Sequence, residues 1–529
     1  MRVYSGNRLM ERGKSMVVAR REGNWRKATP ATAVTAALAL ALAGCGEGSE
    51  AGGAEGREFT IAAQSGPSSL DPAQLNDGQG MFVWSGVFDT LLAQDPESGE
   101  LIPHAAESWE YNEDGTVLTF VLREGMTYSD DTPVDAESVA AAMQRTMETP
   151  GPPQGKFTQV SEVEAVDDLT FEVRFDSFDA AFLSQMSLSA GVIGHPETLD
   201  GEQTATNPVG SGPFELDVDS SESGDSYVLR KRDDHWNAEN VPVSTFTVEV
   251  IPDSTARFNA LQSGQIDATN VESRLLEQLD EGTFTISEIE AHTVFTLMFL
   301  DRAGEEYPAL GDQRVRQALN YAIDRDAIVD NLLFGSGVPT AQIFNPEGEV
   351  YDPELEDLYE YDPERGRELV EEAGYAGESF EVPSTYLTSQ FESTLSQAFD
   401  DVGLQLEWQS VPPQQVQSAL SSGEYPLFFQ VAGLGSVPSD ALSHFAPGGY
   451  SNPQDHTDEV LDGLFEEAHG IVQYEDAVPY YREINRHAVE QAFEVPIAFG
   501  SQTWAGQDGV THSEVSGYPS TFMAFDFED

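Results

Sequence analysis

The sequence predicts an α/β protein of more than one domain, in which mixed sheets are flanked by helices. The chain has 529 residues, of which 40% are hydrophobic and 10% aromatic, and a globular chain of this length is too long for a single core. Residues 380–431 alternate strand-like and helix-like segments, and residues 311–329 have the period of an amphipathic helix. These observations favour two or three domains that contain both element types.

Residues 1–44 are predicted to be a signal peptide and do not belong to the fold. Four basic side chains precede an apolar run over residues 31–43, namely Arg20, Arg21, Arg26 and Lys27. Residues 42–45 have the sequence LAGC, which resembles a bacterial lipobox. Twin-arginine export through the first two arginines is an alternative route across the membrane.

Cys45 is the only cysteine of the chain, so it cannot form an intramolecular disulfide. Its place directly after the apolar run indicates that it carries a lipid that anchors the protein to the membrane. The alternative is an ordinary signal peptide with a chance cysteine. Residues 45–57 are rich in Gly, Ser and Glu, and we expect them to form a flexible tether.

The formal charge of −66 limits the partners of the chain. It has 92 Asp and Glu against 26 Lys and Arg. Such a charge repels a phosphate backbone, so a nucleic-acid partner is excluded. The acids are spread along the whole chain, which favours adaptation to a saline exterior over the alternative, selection of a cationic ligand.

The first half of the chain is predicted to be rich in strands. Asp135 and Ser138 indicate the start of a helix that extends to Met147. The polar residues 217–225 resemble a solvated hairpin tip, because they lack the glycine and the terminal glutamate of a calcium-binding loop. The predicted strands lie at residues 59–63, 117–122, 160–166 and 169–175.

Residues 311–329 are predicted to form one amphipathic helix that begins at the capping residue Asp312. Its apolar face comprises Val315, Ala318, Leu319, Ala322 and Ile323. Its other face comprises Arg314, Arg316, Gln317 and Asn320.

The clearest alternation has the order βαβαβ, with strands at 380–386, 404–409 and 425–431 and helices at 388–402 and 412–422. This order predicts parallel strands with right-handed crossovers. Ligands of open sheets bind beyond the carboxyl ends of the strands. Those ends here are residues 386–387 and 431–436. After a helix at 476–491, a strand at 495–499 would return the chain to the first domain.

Several phrases of the sequence, in one order, resemble a known family. They include SLDPA at 69–73, PVGSGPF at 208–214, IPDSTAR at 251–257, LQSGQID at 261–267, DQRVRQALNYAIDR at 312–325, YDPE at 361–364 and the long run 88–126. The chain is similar, over nearly its whole mature length, to the family 5 extracellular solute-binding proteins, the oligopeptide and dipeptide receptors of ABC importers.

The resemblance implies a two-lobed, periplasmic-binding-protein-like fold of type II, in the large cluster with an extra subdomain, and a hinge between the lobes. Lobe I would comprise residues 58–92, 205–292 and 490–529, with residues 93–204 as its subdomain. Lobe II would comprise residues 293–489. The implied protein is a monomeric, membrane-anchored receptor that captures a small solute outside the cytoplasm and delivers it to an ABC permease and its ATPase.

The candidate solute-binding residues are aromatic side chains and the loop after the last strand of lobe II. The aromatic candidates are Trp84, Phe295, Tyr386 and Trp504, for each of which core packing is an equal alternative. The loop candidates are Leu434, Ser436 and Asp440. Contacts from this loop favour a closed state only if a surface of the first lobe faces them.

Motifs for catalysis or cofactor binding were not found in the sequence. It has no G-x-S-x-G elbow, its nine histidines form no H-E-x-x-H, and GPPQGKF at 151–157 departs from a P-loop in spacing and in its two prolines. We therefore expect no catalytic residues, cofactor or metal. The alternatives from other classes are an exported hydrolase on a lipid anchor, and a sensor or chaperone with the same fold.

The class of solute is predicted from one loop in which this sequence departs from the motif of the family's peptide receptors. Peptide receptors of this family carry an aspartate on the loop after the last lobe II strand, in phrases such as G-W-G-x-D-Y-P-D, that pairs with the ligand's ammonium. Here Leu434 occupies the place of the tryptophan and Val437 that of the aspartate, while Asp440 matches the later acid. A buried ammonium without a partner is costly. The resemblance favours a peptide-like solute, and an oligosaccharide or other neutral solute is the alternative.

Overall fold

The structure of the chain is a computed structural model. It describes residues 56–528 apart from 202, 281, 386, 413, 414 and 422. The predicted signal peptide, Cys45, most of the tether and Tyr386 lie outside the described residues. No helix in the described ranges combines the length and the apolar character needed to cross a membrane.

The described residues contain nineteen strands. They are β1 (Arg57–Ala63), β2 (Leu92–Gln94), β3 (Leu101–Pro103), β4 (Ala106–Tyr111), β5 (Val117–Leu122), β6 (Val160–Ala165), β7 (Thr170–Phe175), β8 (Phe214–Leu216), β9 (Ser226–Lys231), β10 (Val243–Val250), β11 (Ala268–Val271), β12 (Phe284–Phe299), β13 (Gly337–Pro339), β14 (Ser379–Ser384), β15 (Gln405–Ser410), β16 (Leu427–Gly433), β17 (Glu494–Gln507), β18 (Val510–His512) and β19 (Phe525–Phe527).

The α-helices of the same residues are fourteen in number. They are α1 (Met81–Val87), α2 (Ala136–Glu148), α3 (Phe182–Gln185), α4 (Ser254–Gln262), α5 (Ser273–Leu276), α6 (Pro308–Gly311), α7 (Gln313–Ala322), α8 (Arg325–Leu332), α9 (Pro363–Ala373), α10 (Glu392–Asp401), α11 (Val416–Ser421), α12 (Val437–Phe445), α13 (Glu459–His469) and α14 (Tyr474–Glu490).

One large mixed sheet organises the fold. Its order is β16-β12-β17-β11-β1-β10-β9-β8, with β13 paired to β17. The strands β12 and β17 are the longest, and their antiparallel pairing shifts register between Ile289 and Thr293, around Ala291 with its positive φ of 48°. The strand β17 pairs with β11 through residues 503–506 and with β13 through residues 498–500. The residues at which the chain is predicted to cross between lobes, around 293 and at 495–499, lie in these two strands.

Four main apolar clusters form the core. The N-terminal core lies on β1, β10 and α1 and contains Phe59, Phe82, Trp84, Phe246 and Trp504. The insert core, named for residues 93–204, which we call the insert, lies between α2 and the antiparallel sheet β4-β5-β7-β6 and contains Leu118, Phe120, Met143, Phe171 and Val173. The C-terminal core contains Leu319, Phe380, Phe399, Phe429 and Ile497. The helical core, which joins α12, α13 and α14, contains Phe445, Leu461, Tyr481, Ile484 and Phe493.

Most predicted elements are observed within a few residues of their expected bounds. The strand β5 has the predicted ends, and Asp135 caps α2 by accepting a hydrogen bond from the backbone N–H of Ser138 at 2.8 Å. The strands β14 and β15 are parallel, as the alternation predicts. The prediction is wrong for β16, which pairs antiparallel with β12 over seven residues and thereby joins the large sheet.

The predicted single helix over residues 311–329 is two helices, α7 and α8. Asp312 caps the first by accepting from Arg314 N–H at 3.0 Å, and Asp324 caps the second by accepting from Ala327 N–H at 3.0 Å. The second cap interrupts the helix because Ile323 adopts an extended backbone, with ψ of 115°. Arg325 then turns inward and donates to the carbonyl oxygens of Thr340 and Pro496, both at 2.9 Å.

The polar face predicted for α7 is partly buried. Arg316 is 4% exposed and Asn320 is 1% exposed. Arg316 donates to the carbonyl oxygen of Gln491 at 3.0 Å, and Asn320 donates to that of Glu494 at 3.0 Å. These side chains satisfy carbonyl groups at the turn into β17 that would otherwise be buried without donors. Burial lowers the pKa of Arg316 to about 10.

Candidate functional site

The candidate site is built on the loop 433–436, between the end of β16 and the start of α12. The backbone N–H of Leu434 donates to the carbonyl oxygen of His292, at the register break in β12, at 3.3 Å. On the opposite side, Gly517 has φ of 72°, and a Cβ at this position would lie 2.8 Å from the carbonyl oxygen of Leu434. The loop therefore lies between the register break of β12 and the segment around Gly517.

Asp440, in the first turn of α12, holds this loop in place. Its two carboxylate oxygens accept the backbone N–H of Gly435 at 3.1 and 3.0 Å. The residue is half-buried. Burial raises the pKa of the Asp440 carboxyl to about 6, although the Gly435 hydrogen bond and His444 oppose the shift. A positive group brought next to Asp440 would stabilise its charged form.

Ser436 brings the loop against a distant part of the chain. Its backbone is extended, as expected for the N-cap of α12, and its Oγ lies 3.2 Å from the Oγ of Ser184 in α3. These two serines are 252 residues apart in sequence. This contact places the start of α12 against α3 of the insert.

Two of the aromatic candidates have packing roles in this structure. Trp84 is fully buried in the N-terminal core, and its Nε1 donates to the carbonyl oxygen of Asn76 at 3.1 Å. Trp504 is 3% exposed and stacks on His512, with ring centroids 4.7 Å apart. Core packing, the alternative stated for each aromatic, thus describes both rings, and neither is available to a solute in this conformation.

Phe295 occupies an intermediate position. It lies on β12, is half-buried, and packs against Phe391 and Phe429 with centroid distances of 5.5 and 6.5 Å. A Cβ at Gly500 would lie 2.5 Å from the Phe295 ring, so this position of β17 has to be glycine for the ring to fit. Of the remaining candidates, Leu434, Ser436 and Asp440 are brought together, and Tyr386 lies outside the described residues.

Sequence reasoning missed a group of polar residues that line a small cavity. A cavity of about 30 Å³ lies beside α3 and is lined in part by Ser85, Thr90, His104, Ser187 and Tyr518. The Oγ of Ser85, next to the buried Trp84, is buried without a hydrogen-bond partner. The cavity is large enough for a water molecule and too small for an organic solute. Small hydroxyl residues carry no periodicity, so a single sequence offers no signal for them.

Beneath the loop, α12 is fixed to the sheet by buried polar groups. Glu494 of β17 accepts from Thr296 Oγ1 at 3.0 Å and from Arg302 Nη2 at 3.2 Å, and pairs with His444 of α12 at 3.0 Å. This arrangement holds the helix that carries Asp440. Within the part of the chain that the structure describes, no group of three or more His, Cys, Asp or Glu is arranged to hold a metal ion.

Comparison with known families decides the class of the protein. The model of the bacterial extracellular solute-binding proteins, family 5, matches residues 100–454. The chain belongs to this family. It is therefore an extracytoplasmic solute-binding protein of an ABC importer.

Relatives of this family 5 protein bind different solutes. Heme-binding protein A of Haemophilus influenzae is 26% identical over 529 aligned residues, which cover 88% of this chain and 93% of that protein. That relative is named for the binding of heme, and an identity of 26% does not transfer this solute to the present chain. The relatives are solute-binding proteins rather than enzymes.

Solved structures show the fold. The periplasmic binding protein DppA from Helicobacter pylori, in complex with the peptide STSA, superposes with a TM-score of 0.76 at 21% identity, covering 90% of this chain and 98% of that one. The binding protein AgaA from A. tumefaciens R10, in complex with agropinic acid, gives a TM-score of 0.76 at 21% identity, covering 89% and 99%. The family 5 protein thus has the type II periplasmic-binding-protein fold, as its sequence predicted.

Proposed function

We propose that this protein is a lipid-anchored receptor that binds a peptide-like solute between two lobes, under the loop that runs from the end of β16 to Asp440. Lobe I comprises residues 58–92, 205–292 and 490–529 with the subdomain 93–204, and lobe II comprises residues 293–489. Cys45 provides the anchor and residues 45–57 the tether. The receptor acts as a monomer, without cofactor or catalysis, and presents the solute to its permease.

The contact of Ser436 with Ser184 carries this proposal. It brings the loop of lobe II to 3.2 Å from the subdomain of lobe I. A solute that touches both walls binds the closed form more tightly than the open form, and only this difference drives closure. The candidates Leu434, Ser436 and Asp440 lie on the lobe II wall, and Phe295 lies at the base of the same strand pair.

The environment of Asp440 favours the binding of a solute that carries a positive group. It is the acid that holds the loop from the first turn of α12, it is half-buried, and its hydrogen bonds come from the neutral N–H of Gly435. Burial of the ionised Asp440 carboxylate is unfavourable, and the α-ammonium of a bound peptide would offset this cost by forming an ion pair with it. A neutral solute, such as an oligosaccharide, would obtain no such gain and is the competing assignment.

The experiment begins with the solute that accompanies the protein. The chain is purified from its own host, the bound solute is released and identified by mass spectrometry, and its affinity is measured by calorimetry. Asp440→Asn retains an oxygen that can accept from Gly435 and removes the charge. We expect this variant to bind a peptide with a free amino group about a hundredfold more weakly, which corresponds to about 2.7 kcal/mol.

The matched control is Asp330→Asn, which removes the same charge from an exposed position at the end of α8. Its affinity should stay within twofold of the parent. Retention of peptide affinity in Asp440→Asn would exclude the loop as the ammonium site, and a co-purified neutral solute with unchanged affinity would replace the peptide assignment.

A further inference from the structure

A second cavity, of about 220 Å³, lies between Ala180 of the insert and the helices α12, α13 and α14. It is lined by Ala180, Leu442, Phe465, Glu466, His469 and Tyr481. Neither Ser436 nor Asp440 lines it. Its walls come from two parts of the chain that are about 260 to 300 residues apart in sequence, so it exists only while these parts are in contact.

The walls of this cavity are largely aromatic. Phe465 and Tyr481 line it from α13 and α14, and the His469 ring lies 6.3 Å from the ring of Phe178 on the insert. The Nε2 of His469 lies 3.5 Å from Ser177 Oγ, a second contact between the same two parts. The π faces of aromatic rings attract cations, most strongly cations that are weakly hydrated.

The carboxylate of Asp179 adds negative charge next to this cavity, and the lining residue His469 acts on it. Asp179 adjoins the lining residue Ala180, is half-buried, and accepts a hydrogen bond from the backbone N–H of Ala181 at 3.0 Å. Burial raises the pKa of the Asp179 carboxyl, partly opposed by the Ala181 and Phe182 backbone and by His469. Its charge also contributes, after burial and Tyr474, to raising the pKa of the lining Tyr481 to about 12.

Glu466 adds a second acid, on the exposed side of the cavity. Among residues 56–528 as described, no lysine or arginine forms an ion pair with Asp179 or Glu466. The site thus combines aromatic rings with two carboxylates that form no ion pair with a lysine or arginine of the described residues. This combination suits a cation that carries apolar groups, and it suits a strongly hydrated metal ion poorly.

We propose that this cavity binds an organic cation, of the quaternary ammonium or guanidinium class, between Phe465, His469 and Tyr481 and beside Asp179. The site is separate from the solute site under the loop 433–436. Since its occupant contacts both the insert and α12 to α14, it stabilises their approach by its difference in affinity for the closed and open forms.

The test uses choline as the probe and 3,3-dimethylbutan-1-ol as its neutral isostere. Binding to the full chain is measured by calorimetry at a constant ionic strength set with NaCl, so that general screening of the acidic surface is the same in every titration. We expect saturable binding of choline at one site. The neutral isostere should bind at least tenfold more weakly.

Two carboxylates of one segment provide matched variants. Asp179→Asn keeps an oxygen that can accept from Ala181 and should weaken choline binding tenfold or more. Asp176→Asn makes the same change at an exposed position three residues earlier and should leave the affinity within twofold. Equal binding of choline by these two variants, or equal binding of the neutral isostere, would overturn the proposal.

A third variant separates this site from the solute site. Asp440→Asn removes the charge of the loop and should leave choline binding within twofold. Loss of choline binding in Asp440→Asn, with retention in Asp179→Asn, would place the cation at the loop instead and overturn the second site. Thermal unfolding of each variant is measured alongside, and Phe465→Leu, which keeps an apolar side chain, should weaken choline binding if a variant of Asp179 is too unstable to titrate.

Discussion

Glu494 and His444 form an ion pair in the interior, with 3.0 Å between the carboxylate Oε1 and the imidazole Nδ1. Burial alone would raise the pKa of Glu494, yet His444, Arg302 and Thr296 hold it below its usual value. Burial alone would lower the pKa of His444, yet Glu494 holds it above its usual value. Both charged forms are therefore favoured together. The pair ties α12, and with it the candidate loop, to the first residue of β17.

Replacement of this carboxylate should destabilise the fold. Glu494→Gln leaves Arg302, which is 2% exposed, without its anionic partner. Loss of one member of a buried pair costs about 3–5 kcal/mol, and we expect a decrease of this size in the free energy of unfolding from urea titration at pH 6. Glu490→Gln, an exposed site at the end of α14, is the control and should change it by less than about 0.5 kcal/mol. Equal stability of the two variants would show that the buried pair contributes nothing.

Asp440→Asn should stabilise the protein at neutral pH. The folded pKa of about 6 exceeds the usual value of about 3.9, so the carboxylate destabilises the fold wherever it is ionised. This cost is complete above pH 6 and disappears as the pH falls below about 4. With allowance for its half-exposed position, we expect Asn to add about 1–2 kcal/mol at pH 8.

The measurement is the free energy of unfolding of Asp440→Asn and of the parent from pH 4 to pH 8, without added solute. The difference between the two should grow from pH 4 to pH 6 and then stay constant. A difference that is independent of pH would mean that the carboxyl has an ordinary pKa in the folded state, and the charge argument for the solute site would lose its support.

The melting temperature should rise with salt. The formal charge of −66 is a source of self-repulsion that a screening electrolyte reduces. The Debye length falls from about 10 Å at 0.1 M to 3 Å at 1 M, so the increase should level off near the upper value. Because screening depends on ionic strength, NaCl and KCl should act alike. A melting temperature that is constant from about 0.05 to 1 M salt would contradict this expectation.

Cys45→Ser should release the protein from the membrane. The expectation follows from the LAGC sequence at residues 42–45, where Cys45 is the residue to which lipid would be attached. The protein should move from the membrane fraction to the soluble or secreted fraction, as detected by immunoblot. Ser49→Ala, in the predicted tether, serves as the control and should remain with the membrane. A Cys45→Ser variant that stays membrane-bound after a high-salt wash would show that another feature anchors the protein.

Local patterns made the helices and strands predictable. Asp135 and Asp312 cap their helices by accepting hydrogen bonds from backbone N–H groups two or three residues later. Along β5, every second side chain is buried because one face of the strand packs against the core. The family, too, follows from phrases that lie along the chain. The parallel pairing of β14 and β15 was predictable from the order of elements. The partner of β16 was not, because β16 pairs with β12, which lies outside the alternating segment and much earlier in the sequence.

The candidate site was predictable as a loop and not as a set of side chains. Periodicity placed 431–436 at the end of a strand, but it could not distinguish an aromatic ring in a cleft from one in a core, and Trp84 and Trp504 are buried. Periodicity also assigned Arg316 and Asn320 to the polar face of a helix. Both side chains are buried, because the folded chain brings the carbonyl groups of Gln491 and Glu494 to them.

The sequence by itself determined the element types, the family and the strand end that carries the candidate loop, because each of these depends on neighbours along the chain. Only the tertiary structure decided that Ser436 faces Ser184 and that His469 lies 3.5 Å from Ser177. Such pairs depend on how distant segments pack together. The hydrogen-bonding capacity or charge of one residue does not predict which distant segment will lie opposite it.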